Sequence, residues 1–322
     1  MRYRTLGSTG IQISEIGFGA WGIGGVSRGA TSYGPTDDHE SRRALRRAYD
    51  LGITLYDTSD IYGYGHSESL IGEELSGHRG QIVIATKVGM REHRGPFDLS
   101  RAYVRHALEQ SLKRLKTSYV DLYQIHSPPF DMLAREENLM ETFRELKREG
   151  KIRAIGISTR SPEEGIRAIR EYGFDALQVN FNMIDQRALD SGLMELAQEQ
   201  GVGIIARTPL CYGFLSGKLQ AREFGSLDHR STWHPRQQEA WMQAPKLFAP
   251  LNHGTPRTMT QLALQFCLAY PKITSAIPGI LHPREAEENA ATSDIPPLTP
   301  EECSAIRSIY ETNTFFYKDL EA

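Results

Sequence analysis

VDLYQIHSPPFDMLAREENLMETFRELKREGKIRAIGIS, residues 120–158, reads as a strand, a helix and a second strand in succession. Val120–Ile125 and Ile152–Ile157 are short, nearly unbroken runs rich in β-branched and aromatic side chains, as expected of strands covered on both faces in a parallel sheet. Between them Glu137–Glu149 carries mixed charge with apolar residues at helical spacing, and Gly150 follows it. The same unit recurs in both directions. Further strand-length runs are Ile16–Ala20, Ile53–Tyr56, Ile82–Thr86, Ala176–Val179, Val202–Ala206 and Ile273–Ile277. Helical patterns fill Asp38–Leu51, Ser67–Leu75, Ser100–Leu115, Pro162–Tyr172, Asp190–Gln200, Thr258–Tyr270 and Pro283–Ala291.

Eight strands alternating with eight helices is the count of a closed (β/α)8 TIM barrel, an α/β fold. A doubly wound open sheet permits the same alternation, but its Gly-x-Gly-x-x-Gly turn is missing. Gly17, Gly19, Gly22, Gly24 and Gly25 instead spread through a long stretch that begins within the first strand and does not open the first helix. The chain of 322 residues therefore reads as one barrel domain, 1–322. Three segments fall outside the repeat. Residues 2–14 suggest an N-terminal β-hairpin. Gly217–Thr255 is too long for a simple connection, so it implies function or helix of its own. Thr299–Tyr310 suggests an added C-terminal helix before a tail, Asn313–Ala322.

Composition narrows the class. With 39% hydrophobic and 24% charged residues the chain falls in the ordinary folded range. Its formal charge of −3 supplies no positive field for nucleic acid or an anionic membrane. Cys211, Cys267 and Cys303 are too few and scattered for a disulfide framework or a metal site, and no apolar leader or membrane span is visible, which implies a cytoplasmic protein.

In a TIM barrel the chemistry lies at the C-terminal ends of the strands. Asp57, Lys87 and His126 stand at the ends of three successive strands, and Tyr62 follows in the loop DTSDIYGYG. Singly, each has a bland reading as a turn cap, a solvated lysine, a core histidine or a packed loop residue. Together they suit proton transfer to a carbonyl oxygen, because an ammonium held beside a phenol favours the phenolate and brings a weak acid towards the useful range.

LYDTSDIYGYGHSESLIGEEL at 55–75, ATK at Ala85–Lys87, DLYQIH at Asp121–His126, GKIRAIGIS at Gly150–Ser158, PLCYGFLSGKL at Pro209–Leu219, IPG at Ile277–Gly279 and EEN at Glu287–Asn289 together resemble the aldo-keto reductase family. The resemblance implies a nicotinamide-dependent oxidoreductase with Tyr62 as proton donor, Lys87 and Asp57 tuning it, and His126 orienting a small carbonyl or alcohol substrate. It also implies NADP or NAD at the barrel mouth, the carboxamide held by Ser158 and Gln178. The family's usual Asn is Thr159 here, and its stacking aromatic is Arg207. Pro209, Leu210, Gly213, Leu215, Gly217 and Lys218 match the pyrophosphate loop, with backbone amides of 213–217 as donors.

Glu288 and Asn289 match the adenine contacts. Where the family commonly has cations for a 2′-phosphate this chain has Gly279, Leu281 and Glu285, leaving Arg284 and His282 as positive groups, so the choice between the two cofactors stays open. Trp21 is placed with the cofactor and pocket residues, Tyr64, Tyr33, Trp233 and Phe315 as candidate pocket aromatics. No metal is expected. Two other readings remain: a cofactor-binding regulatory subunit with little turnover, and a Schiff-base lyase using Lys87.

Overall fold

The computed structural model describes residues 1–93, 95–219 and 224–317. The expected long connection Gly217–Thr255 and the tail Asn313–Ala322 fall partly on residues 220–223 and 318–322, outside the described residues. The N-terminal hairpin pairs β1 (Tyr3–Thr5) with β2 (Gln12–Ser14). Eight parallel strands follow in the large sheet, and their spatial order matches their chain order: β3 (Phe18–Gly19), β4 (Leu55–Asp57), β5 (Val83–Val88), β8 (Val120–His126), β9 (Ile152–Ser158), β10 (Ala176–Asn180), β11 (Gly203–Arg207) and β12 (Ile273–Ala276). Between β5 and β8 the chain adds a small antiparallel hairpin, β6 (Met90–Glu92) with β7 (Gly95–Phe97). The sequence reading had not foreseen it.

Backbone bonds close the ring. Gly17 N donates to Ala276 O and Gly19 N to Pro278 O, each at 2.9 Å, joining the first barrel strand to the last. The TIM barrel is thus complete. Helices stand at Asp38–Asp50, His66–Leu75, Arg101–Arg114, Leu139–Arg148, Pro162–Tyr172, Leu193–Glu199, Met259–Leu268 and Pro283–Ala291. The sixth begins later than expected because Gly192, at φ 78°, separates it from a short turn of helix at Arg187–Asp190. The long connection contains a helix, Pro235–Phe248, opened by the His234 side chain accepting from Arg236 N. The added C-terminal helix spans Pro300–Thr312, opened by a Thr299/Glu302 capping box.

Strand alternation sorts the side chains into two sets. Tyr56, Ile84, Tyr123, Ile155, Leu177 and Ile204 belong to the core shared with the surrounding helices. Leu55, Val83, Ala85, Leu122, Ala154, Ala176 and Ile205 form a separate cluster with Leu6, Ile11 and Ile13 of the hairpin. The second set fills the barrel interior, and the hairpin plugs its N-terminal end, where Ser8 N donates to Gly201 O just before β11. Continuing the same alternation towards the strand C-termini reaches Asp57, Lys87, Gln124 and His126, Ser158, Gln178 and Arg207. The interior turns from apolar to polar along its own axis. Among the described residues no helix is long and apolar enough to cross a membrane.

Candidate active site

Lys87 is the centre of the polar end. Its Nζ, almost wholly buried, donates to Asp57 Oδ1 at 2.5 Å, to Thr58 O at 2.9 Å and to Tyr62 Oη at 3.3 Å. The other oxygen of Asp57 accepts from Gln124 Nε2 at 3.1 Å and from Gln178 Nε2. Burial lowers the lysine, but Asp57 and Tyr62 outweigh it, and the group is held above its ordinary range as an ammonium.

Tyr62 reaches this lysine from a tightly wound loop with left-handed backbone. Gly63, Tyr64 and Gly65 are all left-handed, at φ 60°, 51° and 94°. A Cβ on Gly63 would lie 2.2 Å from Gly24 O, so the loop after β3 and the loop after β4 pass backbone against backbone. Burial lifts the Tyr62 phenol, and Lys87 and Arg207 pull it back without cancelling that rise; the net direction is upward. This corrects the expectation that the ammonium alone would bring the phenol down.

His126 is buried with its ring 5.6 Å from the Tyr62 ring, edge-on. Its Nδ1 lies 3.0 Å from Ser59 Oγ. Burial, then Lys87, Arg207 and His93, hold the imidazole well below its usual pKa, so it is neutral at physiological pH.

These four side chains share one wall of a cavity of about 650 Å³ that runs along the mouth to Glu288 and Asn289. Trp21, Ser158, Gln178, Arg207, Pro209 and Leu210 line it, as do Gly213, Lys218, Gly279, Leu281 and Glu285. Three expected cofactor residues do not: Leu215 is buried in the core, Gly217 ends its turn at φ 69°, and Arg284 lies on the last barrel helix away from the lining. The amides of Gly213, Leu215 and Gly217 are also already used, donating to Leu210 O, Leu210 O and Phe214 O. Lys218 pairs with Glu288 at 2.5 Å. Glu285 accepts from the amides of Leu281 and His282.

Arg207 donates from Nη2 to Thr159 O at 3.0 Å. Its Nε is buried with no hydrogen-bond partner among the described residues, as are Thr159 Oγ1, Thr260 Oγ1 and Asn289 Oδ1. Of the aromatic candidates, Tyr33 and Trp233 line the cavity; Tyr64 is exposed under Arg28, and Phe315 is packed between Phe248 and Tyr310. The sequence reading missed Met90 and His93 on the small hairpin and His229 and Arg230 in the long connection, all of which face the cavity. The only sequence mark of the hairpin is the pair of glycines at 89 and 95, because the residues between them are mostly polar and show no strand alternation. No cluster of metal-ligating side chains occurs among the described residues.

A model of the aldo/keto reductase family matches residues 15–311. The chain is 33% identical to the aldo-keto reductase YhdN of Bacillus subtilis, covering 89% of this chain and 87% of that one. It is 32% identical to the L-galactose dehydrogenase of Arabidopsis thaliana, covering 89% and 86%. Among solved structures, an aldo-keto reductase of Bacillus halodurans in its holo form superposes with a TM-score of 0.80 at 30% identity over the whole of both chains.

Proposed function

Because the chain belongs to the aldo-keto reductase family, we propose that it transfers a hydride between a nicotinamide dinucleotide and the carbonyl carbon of an aldehyde, ketone or sugar, with Tyr62 carrying the proton. The residues along the cavity fit such a dinucleotide. Asn289 Oδ1 and Thr260 Oγ1 offer unpartnered polar atoms at one end, and Ser158 and Gln178 stand beside Lys87 at the other. The bound nicotinamide supplies the hydride.

The rest of the chemistry falls to side chains of this chain. Tyr62, raised by burial, keeps its proton at neutral pH and has one to give. Lys87, 3.3 Å away, stabilises the phenolate left behind, and Asp57 and Thr58 O fix that ammonium in place. General acid catalysis of this kind is worth about 10² to 10⁴ in rate. A neutral His126 offers the same oxygen a hydrogen bond without competing to give up a proton.

The single observation that carries this reading is the contact of one buried ammonium with both Asp57 and Tyr62 on the cavity wall. It also disfavours imine chemistry, because Lys87 is protonated with three acceptors around it and has no free electron pair for a carbonyl. Borohydride with substrate should leave Lys87 unmodified.

The test is a panel of aldehydes, ketones and sugars with each reduced dinucleotide, followed by nicotinamide absorbance. Turnover at ordinary enzyme rates on at least one carbonyl is expected, and the ratio between dinucleotides reads the preference set by Glu285, Glu288 and Lys218. Tight dinucleotide binding without turnover on any carbonyl would favour a regulatory subunit instead.

A further inference from the structure

His126 can serve a carbonyl oxygen only if the nitrogen facing the cavity carries the proton. The ring is neutral, so it has one N–H to place, and the group at Nδ1 decides where. That group is Ser59, fully buried, with Oγ 3.0 Å from His126 Nδ1 and 3.1 Å from Asp60 Oδ1. A hydroxyl has one proton, and Ser59 can give it to the histidine or to the carboxyl group but not to both. The Ile61 amide, 3.4 Å away, donates to the Ser59 oxygen in either case.

We infer that Ser59 and Asp60 are positioning residues that set the tautomer of His126, and through it the alignment of the substrate carbonyl. The inference rests on the carbonyl-reductase reading of this site. With Asp60 protonated, its O–H donates to Ser59 Oγ, Ser59 donates to Nδ1, and His126 presents Nε2–H to the cavity. With Asp60 ionised, Ser59 turns its proton to the carboxylate, Nδ1–H donates to Ser59, and Nε2 presents a lone pair to the carbonyl oxygen. The only net change is one proton lost from Asp60; the ring stays neutral and exchanges its own proton through solvent.

The surroundings of Asp60 put this change within reach. Loss of hydration and the neighbouring Glu68 carboxylate raise its pKa to about 8, while Ser59, Arg114 and the Ile61 amide oppose the rise. Glu68, on helix His66–Leu75, is paired with Arg114 at 2.7 Å and accepts from Thr86 Oγ1. Tyr103 on helix Arg101–Arg114 and Tyr123 on β8 also face the carboxyl. Around His126 the charged or titratable neighbours are Lys87, Arg207, His93 and Tyr62.

The experiment is ¹⁵N-histidine NMR of the dinucleotide-free protein between pH 6 and 10, with the His126 signal assigned by its absence from His126→Asn. The expected result is Nε2–H at pH 6.5 and Nδ1–H above the Asp60 transition. In Asp60→Asn, whose amide keeps a donor at that position, Nε2–H should persist to pH 10. Ser59→Ala should show no transition at all. In parallel, kcat/KM of the wild type with a ketone should fall about tenfold per pH unit above the transition. That limb should be missing from Asp60→Asn. Nδ1–H at pH 6.5, or a change of tautomer with pH that Asp60→Asn leaves in place, would overturn the inference. A transition observed in a protein that turns over no carbonyl would sustain the hydrogen-bond chain and defeat the functional reading alone.

Discussion

The two ends of the barrel interior are built on the same strands at the same alternation, yet they obey opposite rules. At the N-terminal end Leu55, Val83, Leu122, Ala154, Ala176 and Ile205 meet the hairpin residues Leu6, Ile11 and Ile13 in a closed apolar plug. Two or four residues further along each strand stand Asp57, Lys87, His126, Ser158, Gln178 and Arg207, around an open cavity. The first end gains from removing apolar surface from water. The second buries an ion pair, which is tolerable only because each partner is held by further hydrogen bonds. Stability should therefore live mainly at one end and chemistry at the other.

The most severe way to break that division is Lys87→Met, which strands the Asp57 carboxylate. Unfolding free energy should fall by about 3–5 kcal/mol and turnover should vanish. The double variant Asp57→Asn/Lys87→Met should regain most of the stability in denaturant melts and none of the activity. If the single variant were as stable as the wild type, the ion pair would not be a buried one.

At the opposite end Leu6→Ala should cost about 2–5 kcal/mol while leaving kcat/KM nearly unchanged. A large loss of turnover per folded molecule would show that the plug communicates with the mouth.

Gly63→Ala probes the boundary between the two rules. Its φ of 60° and the 2.2 Å approach to Gly24 O leave no place for a methyl group. Displacing Tyr62 by about 1 Å should lower kcat/KM by roughly 10²-fold, with a smaller effect on the melt.

How far the sequence shows this division depends on what each feature rests on. The eight strands were legible because runs such as Ile82–Thr86 are nearly all apolar, and the ring of strand-end residues followed from the barrel itself. The hairpin carrying His93 was not, since Met90–Glu92 and Gly95–Phe97 are too short and polar to form an apolar run. The net shift of Tyr62 was also hidden, because it is a contest between enclosure and Lys87 that needs the cavity walls. The pairing of Lys218 with Glu288 and the internal use of the Gly213, Leu215 and Gly217 amides depend on loop conformation, which residue identity alone does not dictate.

The remaining expected effect concerns pH. Asp60 has a folded-state pKa near 8, above its ordinary value of about 3.9. The folded state thus binds a proton that the unfolded chain has released between these values, and stability from this site is complete below about pH 4 and lost as pH rises to about 8. Asp60→Asn should therefore melt at a higher temperature than the wild type at pH 8.5, with the gap closing towards pH 4. A gap that widened on acidification would reverse the assigned direction.

The most direct test of the central claim is Tyr62→Phe, which removes one oxygen and leaves the loop, the Lys87–Asp57 pair and the cavity. Turnover on the best carbonyl from the panel should drop by about 10²-fold or more, while fluorescence titration gives a Kd for the reduced dinucleotide within about twofold of wild type. Wild-type turnover in Tyr62→Phe would contradict the account.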